Sequence, residues 1–129
     1  MFRSGGAGDP MPWGMAVLLS IALPAVGVLL IVGGRRAREG RLRRNHFIGI
    51  RTTLTLNSDE AWDAAHLAGG HLLSVAGFGP LLTGPLMLTH PSNGVGAAIV
   101  FAGIGWMLGW ILAAGVVGTR AAEAALGED

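Results

Sequence analysis

The chain contains no cysteine, so no disulfide framework, thiol nucleophile, iron–sulfur cluster or thiolate metal site can be built from it. Charge is scarce as well: 13% of the 129 residues are ionised at neutral pH, and all nine basic ones are Arg. No HExxH pair, glycine-rich phosphate loop, GxSxG turn or credible Ser, His and Asp triad occurs. These absences argue against an enzyme and leave no catalytic residue, cofactor or metal site to assign.

What the sequence does have is apolar residues, 51% of the total, gathered into three runs. Trp13 to Gly34 and Val95 to Thr119 carry no charge, and Leu67 to Thr89 holds only His71 among ionisable residues. The runs are 22, 25 and 23 residues long, respectively. Each exceeds the roughly 20 residues needed to cross about 30 Å of hydrocarbon. As buried helices of a soluble domain they would leave too little polar sequence to cover them. Seven of the nine arginines (35, 36, 38, 41, 43, 44 and 51) fall between the first two runs, which places that loop in the cytoplasm. A cleaved signal peptide would carry its basic residues before the apolar run, so the first span is expected to be retained.

The reading is therefore an all-α membrane protein, a three-transmembrane-helix bundle with its N-terminus outside and C-terminus inside. A flexible, Gly-rich outer tail is expected over 1–12, holding Arg3 and Asp9. The first span covers 13–34 and the basic cytoplasmic loop 35–57. A helix over 58–89 starts at the interface and becomes the second span. An outer turn over 90–94, a third span over 95–119 and a cytoplasmic tail over 120–129 complete the chain. Asn57 is expected to cap the second helix with Glu60 returning a hydrogen bond, and Trp62 reads as a headgroup-level marker. Pro24 is expected to kink the first span. His90, in the outer turn, is expected to be solvated.

At about 100° per residue, Asp59, Asp63 and His66 share one helix face, and Gly70, Leu73 and Gly77 continue it into the membrane. A structural polar cluster is the favoured reading, with Arg51 folding back to pair with Asp59 or Asp63. A metal held by Asp59, Asp63, His66 and His46 is the alternative, and no ligand spacing supports it. His71 is either a functional ionisable group within a span or a residue that snorkels to the interface one turn away. Gly105 and Gly109 form a GxxxG pair, expected to pack within the bundle or else to form a homo-oligomer face. The cluster Arg35–Arg44 lacks the interleaved aromatics of a nucleic-acid site, so direct nucleic-acid binding is not expected and anionic lipid is its natural partner.

The polar stretch from Asn45 to His66, NHFIGIRTTLTLNSDEAWDAAH, carries a more specific signal. Its Asn45, Gly49-Ile50-Arg51-Thr52, Ser58, Trp62 and His66 resemble the signature of the SdpI family of bacterial membrane proteins. Thr53 stands where that family commonly has proline. The likeness runs over Arg44 to Gly70 and, as hydropathy alone, over the next two spans. It implies a multi-pass protein of the bacterial plasma membrane. The family is named for an immunity protein against a secreted killing factor, which also sequesters a transcriptional repressor at the membrane. The expected function is thus immunity or signalling through contacts of the cytoplasmic loop with a protein partner: a toxin, a regulator or a membrane complex. The alternative is a small accessory or structural subunit packed onto a larger complex through glycine-rich helices.

Overall fold

The computed structural model describes residues 6–45 and 49–127, with Leu54 described by its backbone alone. Arg3, His46 and the last two residues of the C-terminal tail lie outside the described residues. Within them the chain is all-helical: α1 Trp13–Arg38, a single-turn α2 Thr53–Leu56, α3 Asp59–Leu86 and α4 Asn93–Leu126. A 3₁₀ turn, Met87–Thr89, ends α3. Three of these helices, the second taken through Thr89, are long and apolar enough to cross a membrane. At 1.5 Å per residue α1, α3 and α4 measure about 39, 42 and 51 Å, so each carries its charged end beyond about 30 Å of hydrocarbon.

α3 is the central helix, with α1 packed along one side of it and α4 along another. Helices in lipid gain no hydrophobic drive from meeting each other, so close backbone contact and interhelical hydrogen bonds must hold them. The α1–α3 seam is built from glycines seven apart: Gly27 and Gly34 on α1, and Gly70, Gly77 and Gly84 on α3. Gly27 lies against Gly77 and Gly34 against Gly70, which makes the pair antiparallel. A Cβ added at Gly70 would meet the Gly34 carbonyl at 2.8 Å and Ala37 Cβ at 2.9 Å. Pro24 lies inside a continuous α1, its ring filling the notch left by Gly84. The Ser74 hydroxyl donates to the Ile31 carbonyl at 3.0 Å across the same seam.

The α3–α4 seam uses Gly69, Gly79, Gly103 and Gly118. A Cβ at Gly79 would meet the Gly103 carbonyl at 2.6 Å, and the Trp106 indole N–H donates to the Val75 carbonyl at 2.8 Å. Gly105 and Gly109 are not in this seam. They face outward, with nothing within 4 Å of where a Cβ would stand. The packing expected of them within the bundle is corrected accordingly: α4 is rotated so that Gly103, Ala114 and Gly118 meet α3 instead.

The two ends of the molecule are closed differently. At one end Met11, Ala16 and Met87 form a core with Leu19, Ile99 and Val100, and a Cβ at Gly96 of α4 would run into Met11 Cε. The segment before α1 is tied down there as well. Met11 N–H donates to Pro91 O at 2.9 Å, and Asn93 and Gly94 N–H donate to Asp9 and Ala7 carbonyls, each at 2.8 Å. The segment 6–12 of the expected mobile tail is thus hydrogen-bonded to Pro91 and to the first residues of α4. His90 belongs to this closure rather than to solvent: it is half-buried, stacks on Trp13 with ring centroids 4.1 Å apart, and reaches the Met11 carbonyl. Its left-handed backbone, φ 57°, lets the chain reverse into α4. At the other end the core consists of Ile50, Ala61, Ala65, Leu73, Ala114 and Ala122. There a loop residue, Ile50, joins the core between α3 and α4.

Candidate functional site

The described residues of the segment from Leu42 to Ser58 are held at the end of α3 by four attachments. The first is Trp62, whose indole N–H donates to the Leu42 carbonyl at 2.8 Å. This side chain is 1% exposed, so it is a buried clamp for the loop rather than a headgroup-level marker. Its hydrogen-bond partner lies 20 residues upstream, a contact that no local pattern announces.

The second attachment is His66, also 1% exposed and stacked on Trp62 at 4.1 Å between ring centroids. The Ile50 N–H donates to its Nε2 at 2.7 Å, and its Nδ1 lies 2.7 Å from the Trp62 carbonyl. A backbone amide can only donate, so Nε2 is the unprotonated nitrogen and Nδ1 carries the proton given to Trp62 O. Both ring nitrogens are used, and only the neutral ring can use them this way. Gly49 covers the imidazole edge: its φ of 117° suits glycine, and an added Cβ would run into Nε2.

Thr55 supplies the third attachment. Fully buried, it donates its hydroxyl to the Ile50 carbonyl at 2.7 Å, so both backbone groups of Ile50 are satisfied by side chains. Thr52 caps α2: its side chain accepts from Thr55 N–H at 3.2 Å while Thr55 Oγ1 accepts from Thr52 N–H at 2.8 Å. With its amide and carbonyl fixed, Ile50 sends Cδ1 between α3 and α4. There a Cβ at Gly69 or Gly118 would come within 2.7 or 2.6 Å of it, the fourth attachment.

Ser58, not Asn57, is the N-cap of α3, accepting from Ala61 N–H at 3.3 Å. Asn57 is taken up as the C-cap of α2, a turn of β-branched threonines that gave no helical signal, and this moves the cap by one residue. Asp59 and Asp63 stay exposed, whereas His66 turns under the loop. Among the described residues no three His, Asp or Glu side chains gather as metal ligands would. Asp59 is engaged by Arg44, Nε to Oδ1 3.4 Å, in place of the expected Arg51. Asn45 donates its amide to the Arg43 carbonyl at 2.7 Å.

Arg51 instead lines a cavity of about 630 Å³ between the loop and α4, together with Arg120 and Glu123. Neither Arg120 nor Glu123 stood out in the sequence, being an isolated pair in a short tail. A smaller cleft of about 400 Å³ lies between Arg43, Arg44, Asp59 and Asp63, over the Trp62 ring. His71 is exposed on the outer surface of α3.

Three membrane-length helices and a clamped polar loop define a multi-pass helical membrane protein. The SdpI/YfhL protein family matches residues 41–119, from the loop into α4, and the chain belongs to that family. Comparison with curated proteins gave no match, and neither did comparison with solved structures.

Proposed function

We propose that this chain is an immunity or signalling protein of the bacterial plasma membrane that acts through protein contacts of its loop. The carrying observation is a division of labour among the loop and α3 residues. Trp62, His66, Thr55 and Gly49 are spent on fixing the backbone, while Arg51, Thr53, Asn57, Asp59, Glu60 and Asp63 are exposed on the platform so formed. A platform held rigid before its partner arrives loses little entropy on binding. Its mixed charge suits recognition of a protein more than of a nucleic acid. In this reading the loop is cytoplasmic, because seven of the nine arginines cluster at 35–51, and the segment before α1 lies outside. The reading assigns no catalytic step.

A second reading, an accessory subunit of a larger membrane complex, is favoured by the outward-facing Gly105 and Gly109, which leave a smooth groove on α4. One experiment separates the two. The tagged chain is purified from its own cells in mild detergent beside Arg51→Ala and Gly105→Leu, with mass spectrometry of what co-elutes. A regulator or toxin lost with Arg51→Ala and kept with Gly105→Leu supports the first reading. A near-stoichiometric complex with the opposite pattern replaces it with the second.

A further inference from the structure

We propose that the cavity between the loop and α4 binds one anionic phospholipid, its phosphate held by Arg51 and Arg120 and an acyl chain laid along α4. The proposal rests on the membrane embedding of the helices and not on the immunity reading.

The lining changes character along a single direction. Leu112 and Val116 are successive turns of one α4 face, and Arg120 is the next turn of the same face, with Leu73 and Ile111 behind them. The apolar run of α4 ends at Thr119, so the apolar part of the cavity lies at hydrocarbon depth and the charged part at the boundary, where lipid phosphates sit. From Leu112 to Arg120 is about 12 Å along the helix, room for the upper part of an acyl chain. A volume of about 630 Å³ falls in the range of ordinary ligand sites.

Gly115 deepens the cavity: it is one of its lining residues, and nothing stands within 4 Å of where its Cβ would be. At the mouth two arginines face one glutamate, a balance that suits an anion. Among the described residues Arg120 makes no ion pair, and guanidinium groups match phosphate oxygens in pairs. A zwitterionic headgroup would bring its own cation against these arginines, so the site is selective for net negative lipid.

This differs from the diffuse attraction that Arg35, Arg36 and Arg38 at the end of α1 exert on any acidic leaflet. Such attraction has no cavity to block. The detergent-purified chain, stripped of lipid, is titrated with phosphatidylglycerol or phosphatidylcholine and followed by native mass spectrometry and by thermal melting. One phosphatidylglycerol per chain is expected to bind about tenfold or more tighter than phosphatidylcholine, as one charge-assisted hydrogen bond would supply, and to raise the melting temperature. Gly115→Leu, whose side chain enters open space, is expected to keep the lipid-free melting temperature and lose the bound lipid. Arg120→Glu, at an exposed position, is expected to abolish the preference, and Arg36→Ala to leave it intact.

Equal binding of the two lipids overturns the proposal. So does unchanged binding in Arg120→Glu or in a folded Gly115→Leu, or an equal loss in Arg36→Ala. Binding of glycerol 3-phosphate as tight as that of the whole lipid overturns it too, since the acyl chain would then contribute nothing.

Discussion

At Gly49 two constraints meet that a single methyl group violates together. The backbone sits at positive φ, and the space a Cβ needs is occupied by the His66 ring that accepts the next residue's amide. Gly49→Ala is expected to destabilise the folded chain by about 1–3 kcal/mol and to expose the loop to protease. Thermal melting in detergent with timed trypsin digestion checks this. Cleavage at Arg51 no faster than in the wild type would show that the loop does not depend on this seat. Trp62→Phe keeps an aromatic face for His66 but leaves the Leu42 carbonyl without its donor, so it is expected to cost about 1–3 kcal/mol. Its effect should be seen in faster trypsin cleavage at Arg41, Arg43 and Arg44, ahead of cleavage at Arg51. Uniform acceleration at all four would mean that the indole contributes bulk alone.

Between α1 and α3 the heptad spacing of glycines makes the contact one of backbone on backbone, which a side chain cannot enter. Gly77→Leu would drive its side chain into the Gly27 carbonyl and Ile31, and is expected to part the two helices; Gly105→Leu meets nothing and is expected to leave the monomer's stability within about 0.5 kcal/mol of wild type. Crosslinking between cysteines introduced on α1 and α3 would report the separation directly. The spans themselves were plain in the sequence, because length and lack of charge are local properties. The rotation of each helix was not. A GxxxG pair such as Gly105 and Gly109 announces a smooth face without saying whether a neighbour occupies it. The recurrence of glycine at seven on two helices, 27 and 34 with 70, 77 and 84, holds that information only when the helices are compared. The candidate site was legible to a similar degree. Motif and likeness singled out residues 45 to 66, but which of them face inward depends on hydrogen bonds spanning 16 to 20 residues, and Thr55 passed as an ordinary loop residue.

Taken whole, the molecule is a central helix flanked by two others, closed at one end by the segment before α1 and at the other by an inserted loop. The orientation proposed from the arginines can be tested cleanly because the chain has no cysteine of its own. In intact cells Gly8→Cys is expected to react with an impermeant maleimide and Glu39→Cys only after the cells are opened. Labelling of Glu39→Cys alone in intact cells would invert the topology. The seat of Ile50 has a further consequence, for biogenesis. Ile50 rests on Gly118 as well as Gly69, yet the ribosome delivers the loop nearly 70 residues before that part of α4, counting from Ile50 to Gly118. The middle of the chain therefore reaches its final form only after that part of α4 has been made. A chain halted after α3 would enter the bilayer with its loop unseated, marking it to proteases as unfinished.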